Sequence, residues 1–330
     1  MRVTYVLPEP VLSGGNKVAL QHAQLLVEAG HETSVVALGG RPSWTPFAGR
    51  WLDASGGPPA LADQDALVAT FWPTVEAARR LDVGPVAHFC QGYEGSNPHL
   101  AGQLAEIEAV YRLPLPTLVV SPHLGELVAE RFGREARVVP PVVDPLFRPR
   151  PRIGPRKSPR LMVSGIFEAE VKDVPTALEA VARLRDGGQP VELLRVSILE
   201  QSEAERRLLA ADRYLCDVTP QAVARELRRC DLLLFTSRPD EGFGLPVLEA
   251  MASGAPVVAT DIPSVRAMTG GEVALVPVGD AAAVAAAARA LLKPTAWRAA
   301  RKQGRRIAER FTAEAILPRL EEALEWVAAT

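Results

Sequence analysis

The run Asp231 to Phe235 (DLLLF) leads into PDEGFGLPVLEAMASGAP, Pro239 to Pro256, and this stretch constrains the fold more than any other. A short apolar run bounded by turn residues suits a strand buried on both faces, as in a parallel sheet. The loop from Pro239 to Gly244 is tight. A helix should begin near Leu245-Pro246, because a proline in the first turn gives up only an amide that has no helical partner. Gly254 stands where a helix ends in the left-handed conformation, and Pro256 lies just beyond, where the helix cannot continue. Pro256 to Ala259 then reads as the next strand. The stretch therefore predicts strand, loop, helix, strand. The free N–H groups at that helix start would point outward at the carboxyl end of the sheet, where phosphates and polar ligands bind.

The same alternation runs along the whole chain. Arg2 to Leu7 predicts a strand, Ser13 to Asn16 a glycine-bearing loop, Lys17 to Glu28 a helix and Thr33 to Leu38 a second strand. This βαβ unit is Rossmann-like, but it lacks the GxGxxG fingerprint of dinucleotide binding. Residues 40–60 read as loop with room for one short strand. Strands are expected at Asp65 to Phe71, Pro85 to Cys90, Thr117 to Val120 and Arg137 to Val139, with helices at Thr74 to Leu81, Leu100 to Val110 and Ser121 to Phe132. Arg148 to Arg160, RPRPRIGPRKSPR, is rich in proline and arginine and reads as a solvated linker. Beyond it the alternation restarts at Leu161 to Ser164. Strands Val191 to Val196, one near Tyr214, and Val273 to Val276 follow, among helices at Asp173 to Arg185, Glu203 to Ala211, Gln221 to Arg229, Asp280 to Leu292, Thr295 to Arg310 and Ala313 to Ala328. Two doubly wound α/β domains joined by a linker satisfy this pattern. The expected organisation is an N-terminal Rossmann-like domain over 1–148, the linker over 149–160, a C-terminal Rossmann-like domain over 161–312, and a terminal helix over 313–330 packing back on the first. Ligands of such sheets bind at the carboxyl ends of the strands, so the site is expected in the cleft between the domains.

Composition removes several classes. With 37 basic and 39 acidic residues the net charge is -2, which carries no nucleic-acid footprint. Cys90, Cys216 and Cys230 are scattered, which argues against zinc ligation and a disulfide framework and favours the cytosol. The N-terminus reads as a first strand and has no signal-peptide core. No apolar run is long enough to span a bilayer, which leaves room only for peripheral contact with the inner face of a membrane.

The chemistry-bearing residues gather at expected strand ends. Glu241 and Glu249 flank the glycine loop, and paired carboxylate oxygens suit the vicinal hydroxyls of sugar or ribose rings. Glu249 is the lone acid among Leu245, Val247, Leu248, Ala250, Met251 and Ala252, and a carboxylate in so apolar a helix needs partners. Gly242 and Gly244 bracket Phe243 and allow close backbone approach. Lys172 follows the strand ending at Ser164-Gly165, just ahead of a helix, where a cation can face a diphosphate. Gly14 and Gly15 in the first turn would let amides meet a phosphate or an acceptor, with Asn16 beside them. His88, Gln91, Tyr93 and Glu94 cluster at another strand end; His88 alternates with apolar residues and reads as packed, while Gln91 is the better ligand contact. His31 lies at the opposite end of its strand and reads as structural. No Ser-His-Asp set, Asp-Xaa-Asp motif or metal-ligand cluster is present, so no metal or cofactor is expected.

EGFGLPVLE, Glu241 to Glu249, resembles the Glu-seven-residues-Glu signature of the retaining family 4 glycosyltransferases of the GT-B fold. The likeness extends through CDLLLFTSRPDEGFGLPVLEAMASGAPVVATDIPSVRAM, and SGGNKVALQHAQLLVEAGHETSVV, VVSPHLGELVAERFG, VVPPVVDPLFRP and VKDVPTALEAVARL are similar to the family's other segments. The resemblance implies a metal-independent transfer of a hexosyl or deoxyhexosyl group, with retention, from a nucleotide-sugar donor to a glycan, lipid-linked or small-molecule acceptor. It implies that Glu249 holds the ribose hydroxyls and that Glu241, with the amides of Gly242, Phe243, Gly244 and Leu245, holds the donor sugar and assists catalysis at its anomeric centre. Lys172 would neutralise the diphosphate, and Gly15 would approach the phosphates or the acceptor. Two departures stand out. The family's Gly-Arg pair is Ser164-Gly165-Ile166-Phe167 here, which leaves Arg238 as the substitute cation. The family's first-domain histidine is matched by Gln91, in a Gln-Xaa-Tyr-Glu loop that hints at a deoxysugar. Rival readings are a non-catalytic nucleotide-sugar-binding partner, and an epimerase or phosphorylase on the same fold.

Overall fold

The computed structural model describes residues 1–330. The chain forms two compact units, Met1–Val142 with Phe311–Thr330, and Val143–Arg310.

In the first unit β1 (Arg2–Val6), α1 (Gly14–Glu28), β2 (Glu32–Ala37), β3 (Arg50–Asp53), β4 (Ala66–Ala69), α2 (Trp72–Leu81), β5 (Val86–Cys90), α3 (Leu104–Tyr111), β6 (Thr117–Val119), α4 (Pro122–Phe132) and β7 (Ala136–Val138) follow in order. The strands lie parallel in the order β3-β2-β1-β4-β5-β6-β7. Most of the central strands are buried along their length, as helices on both faces require. Val6, Leu67, Ala69, Val75 and Ala78 close one face of the sheet. The C-terminal helix (Ala313–Ala328) belongs to this unit and buries Ile316, Leu320, Leu324 and Val327, a stripe at helical spacing. His31 ties the unit together from the amino end of β2: Nδ1 lies 3.0 Å from the N-terminal amine and Nε2 lies 2.8 Å from Glu321 Oε1.

The second unit holds β8 (Arg160–Ser164), α5 (Val174–Asp186), β9 (Glu192–Ser197), α6 (Glu203–Leu208), β10 (Arg213–Cys216), α7 (Pro220–Leu227), β11 (Leu232–Phe235), α8 (Leu245–Ala252), β12 (Val257–Thr260), α9 (Pro263–Thr269), β13 (Ala274–Val276), α10 (Ala281–Leu291) and α11 (Pro294–Ala308). Its parallel order is β10-β9-β8-β11-β12-β13. Leu161, Val163, Leu178, Val181, Leu234, Val284 and Ala288 form the core under α5 and α10, each large apolar side chain contributing about 1.5–3 kcal/mol on burial. On the other face α8 and α11 approach closely at Gly304, where a β-carbon would come within 3.1 Å of Met251.

Both sheets reverse direction at the same place in their order, between β1 and β4 and between β8 and β11. Ligands of doubly wound sheets bind outside the strand ends at such a reversal.

Several boundaries differ from expectation. α1 begins at Gly14 because Ser13 caps it, its Oγ accepting from Asn16 N–H at 3.2 Å. The 40–60 segment yields β3, an edge strand with exposed ends. The helix expected from Leu100 is 3-10 over Pro98–Gln103 before α3 starts. The short α9 has no counterpart in the sequence reading. The basic run before β8 is not a free coil: Arg152 pairs with fully buried Asp231, which also accepts from the backbone N–H of Arg160 at 2.8 Å and of Arg156 at 3.2 Å. A buried carboxylate demands such partners, and the arginines supply them.

Candidate active site

Two loops meet at the reversal of the second sheet. β11 is buried throughout and leads to Thr236 and Ser237, both almost fully buried. Thr236 Oγ1 donates to Asp173 O at 2.8 Å, and Arg238 N–H donates to Val171 O at 2.8 Å. These bonds stitch the loop after β11 to the segment after β8. The stitching brings Lys172 Nζ to 2.6 Å from Glu241 Oε2, and Ser237 Oγ donates to the same oxygen at 3.0 Å. The side chains are 31% and 12% exposed, so the pair is sheltered and still reachable from solvent.

Gly165 makes this geometry possible. Its φ is +126°, and a β-carbon there would lie 3.2 Å from Lys172 Cβ and Cγ. Only glycine combines that backbone with the lysine stem lying across it. Gly244 plays a related part as the left-handed residue ahead of α8: its φ is +87°, and a β-carbon would lie 3.3 Å from Phe235 Cζ. Phe243 is buried, which turns the loop's aromatic side chain inward. The N–H groups of Gly242, Gly244 and Leu245 make no hydrogen bond within the chain and lie at the positive end of α8. At its other end α8 closes with Gly254 at φ +73°, whose N–H bonds Met251 O while Ala255 N–H bonds Ala250 O. That paired closure is the glycine stop expected from the sequence. Glu249 sits half-buried one turn into α8, among apolar neighbours facing the core.

The cation complement is Lys172 and Arg238. Arg238 is 48% exposed and reaches Asp173 Oδ2 at 3.9 Å, close to the lysine but leaning on an acid of its own. Sequence reasoning missed the support beneath this site. Arg195 is fully buried in β9, and Nη1 donates to Val163 O at 2.7 Å and Nη2 to Gly165 O at 2.9 Å. Its charge is met by Glu205 of α6, whose Oε1 accepts from Nε at 2.6 Å with both side chains out of water. Arg195 thus fixes the carbonyls where β8 gives way to the lysine segment. The signal was present: a single arginine inside the apolar run VELLRV has to be paired wherever that run is buried.

In the first unit the glycine turn after β1 runs into α1 with Lys17 in its first turn, and its contact with the turn after β5 is made by neutral groups. Gln91, after β5, donates from Nε2 to Gly15 O at 3.1 Å, and a β-carbon on Gly15 would lie 3.4 Å from that nitrogen. Gly14, Gly15 and Gln91 therefore form one small neutral cradle at the start of α1. The other residues of this group turn away. Asn16 is buried, and its side-chain amide donates to Glu9 O and Val11 O at 2.9 Å, which locks the preceding loop. Tyr93 is buried edge-on against Tyr111 at 5.2 Å between centroids, with the Arg131 guanidinium 4.5 Å above its ring. Glu94 accepts from the Tyr111 hydroxyl, and burial raises its carboxyl above the usual range. Burial likewise pushes the Cys90 thiol up to about 12 and His88 down to about 3. His88 is packed, as its alternation with apolar residues predicts, edge-on to Tyr111 at 4.7 Å. No group of three or more His, Cys, Asp or Glu side chains converges to hold a metal.

Residues 158–294 match the family described as Glycosyl transferases group 1. A phosphatidyl-myo-inositol mannosyltransferase of Mycobacterium leprae is 32% identical over 144 residues, which are 42% of this chain and 38% of that protein. The chain thus matches well under half the length of this curated relative. Among solved structures, sucrose-phosphate synthase from Thermosynechococcus elongatus superposes with a TM-score of 0.80 at 19% identity, covering 99% of both chains. Anabaena HepE in complex with UDP and glucose superposes with a TM-score of 0.78 at 16% identity, covering 98% of this chain and 99% of that one. The structural likenesses establish the fold, and the sequence match covers the unit that carries the Lys172–Glu241 contact. This chain has the GT-B fold, and residues 158–294 of its second unit are similar to the family described as Glycosyl transferases group 1.

Proposed function

We propose that this protein transfers a hexosyl or deoxyhexosyl group from a nucleoside diphosphate sugar to an acceptor hydroxyl, with retention at the anomeric carbon. The observation that carries the reading is the 2.6 Å contact of Lys172 with Glu241 beside the unbonded amides that open α8. In the step proposed, the acceptor oxygen bonds the anomeric carbon on the face from which the diphosphate leaves. The anomeric carbon–oxygen bond breaks with its electron pair going to the diphosphate, and the acceptor proton passes to a departing phosphate oxygen. Negative charge therefore grows on the diphosphate, which is where a fixed lysine and helix-start amides are most effective. An entering phosphate would draw Lys172 from Glu241 and release a carboxylate oxygen to accept from sugar hydroxyls. Glu249 would accept from the ribose hydroxyls. The neutral Gly14, Gly15 and Gln91 cradle suits the acceptor, whose hydroxyl group needs hydrogen bonds more than countercharge.

HepE is a structural relative described in complex with UDP and glucose, which makes uridine diphosphate sugars the first donors to test. The name of the M. leprae relative supports an inositol lipid as one acceptor to include, beside glycans and small molecules. No helix is long and apolar enough to cross a membrane, so the lipid-linked version of the reaction calls for peripheral contact, at the inner face in the cytoplasmic placement we favour.

A melting-shift screen over nucleotides and nucleotide sugars, followed by product analysis with anomeric assignment by NMR, tests the reading. Glu249→Ala should abolish the shift caused by the nucleotide diphosphate; an unchanged shift would sink the ribose role. Glu241→Ala should keep most of that shift and lower turnover sharply, and wild-type turnover would remove it from the mechanism. A second reading, nucleotide-sugar binding without turnover, draws support from one observation: Arg238 leans on Asp173, and Ser164 to Phe167 carries no arginine. A melting shift with no transferred or hydrolysed sugar would select it.

A further inference from the structure

The second unit carries a strongly cationic groove that shares no residue with the Lys172–Glu241 site. It has a volume of about 1080 Å³ and lies between the segment Pro149 to Arg152 and α11. Arg150, Arg298, Arg301, Lys302 and Arg305 line it, and none of them forms an ion pair with a carboxylate, although Glu309 also stands on the wall. The chain as a whole has a net charge of only -2, so this accumulation is local.

Two further arginines of the wall are paired, Arg152 with Asp231 and Arg306 with Glu272, while the others are held in place without a carboxylate partner. Trp297 is fully buried beneath the groove, its indole N–H donating to Asp231 O at 2.8 Å. Arg301 stacks over that ring at 4.8 Å, and Arg152 stacks over it at 5.0 Å. Arg301 Nη2 donates to Arg150 O at 2.7 Å, and Arg298 Nη1 donates to Ile153 O at 3.2 Å. Gly254 leaves the space for this, since a β-carbon there would lie 3.0 Å from Arg301 Nη2 and 3.1 Å from Pro149. Aromatic faces and carbonyls thus orient Arg298 and Arg301 without supplying a carboxylate to either. Burial first, and then the neighbouring charges of Arg152, Arg305 and Arg150, hold the Arg301 guanidinium below the usual arginine range. Like charges gathered on a concave wall focus a positive potential. Fixed guanidinium forks match phosphate oxygens two at a time.

We propose that the groove between Pro149–Arg152 and α11 is a binding site for a phosphate-bearing anion carrying several charges, separate from the donor site. The proposal goes beyond sugar transfer and does not depend on it. The anion could be a free phosphoester or the headgroup of an anionic lipid, and the chemistry of recognition is the same for both.

Titration calorimetry of the full chain with tripolyphosphate at low salt is the test. The variant R150Q/K302Q/R305Q removes three exposed cations that make no hydrogen bond inside the chain, so its thermal melt should match wild type. It should bind tripolyphosphate at least about tenfold more weakly, because each lost charge contact contributes a fraction of that factor. Lys172→Gln should leave the affinity as in wild type. Unchanged binding by the triple variant, or loss of binding in Lys172→Gln, would overturn the proposal, as would retention of a DNA duplex together with no response to tripolyphosphate. If the triple variant melts early, Lys302→Gln alone should still show a measurable weakening. Flotation with phosphatidylglycerol vesicles distinguishes the sources: co-flotation that the triple variant loses assigns the headgroup, and tripolyphosphate binding without flotation assigns the free anion.

Discussion

After β8 the chain delivers a lysine to a glutamate; after β1 it delivers a pair of glycines to a glutamine. The two turns occupy equivalent places in sheets of the same strand order, yet the contact made in one is charged and that in the other neutral. Beneath the charged turn lies a buried ion pair, Arg195–Glu205, that holds strand-end carbonyls. Beneath the neutral turn lies Asn16, an uncharged amide that holds loop carbonyls. A shared topology therefore sets where ligands can bind, and the side chains at each strand end set which chemistry occurs there.

The comparison can be broken at its support first. Glu205→Ala leaves Arg195 buried without a partner and should lower the stability of the second unit by about 3–5 kcal/mol. Urea unfolding measures this, and a loss under 1 kcal/mol would mean that water already reaches the pair. At the turns themselves, Lys172→Ala should lower turnover by about 100-fold to 1000-fold, as expected when one group facing developing charge is lost. Gln91→Ala should cost only about tenfold, the scale of one neutral hydrogen bond. Equal losses at the two positions would erase the distinction between charged and neutral turns.

Away from the two turns, the first unit should also show a pH response. His88 is held neutral by burial, with its folded value lowered from 6.5 to about 3. Above pH 6.5 both the folded and unfolded chains carry it neutral, so it makes no difference there. Below that value the unfolded chain takes up a proton that the folded chain refuses, and stability falls as pH falls. Near pH 5 the deficit is about 2 kcal/mol. His22, lowered to about 4 by burial, adds in the same direction. Melting of His88→Leu against wild type across pH 7 to 4 should show a flatter acid slope, and parallel slopes would refute the assignment.

The segment from β11 through α8 was legible because its signals are local. Apolar length, Pro246 and Gly254 each act on backbone within a few residues, and the structure places β11, α8 and β12 where they indicate. Lys172 was legible as a cation after a strand, but not as the partner of Glu241, which lies 69 positions away. Tyr93 and Glu94 share a loop with Gln91 and look equivalent in sequence, yet the Tyr111 and Phe132 rings draw Tyr93 inward and the Tyr111 hydroxyl engages Glu94. α9 escaped notice because a seven-residue helix offers too few turns for a period to show. The arginine-rich run before β8 has a linker's composition, and only Asp231 and Trp297, distant in sequence, decide that its arginines are held.

By itself the sequence determined the alternation of strands and helices, the two-sheet class and the residue types available at each strand end. Those follow from periodicity, turn residues and composition, which are properties of neighbours along the chain. The tertiary structure alone decided which groups meet: Lys172 with Glu241, Gln91 with Gly15, and Arg195 with Glu205 beneath the end of β8. The reason is that parallel strands joined by crossovers bring together segments tens of residues apart. Whether a polar group there faces solvent or is buried and must be paired depends on packing that no local pattern encodes.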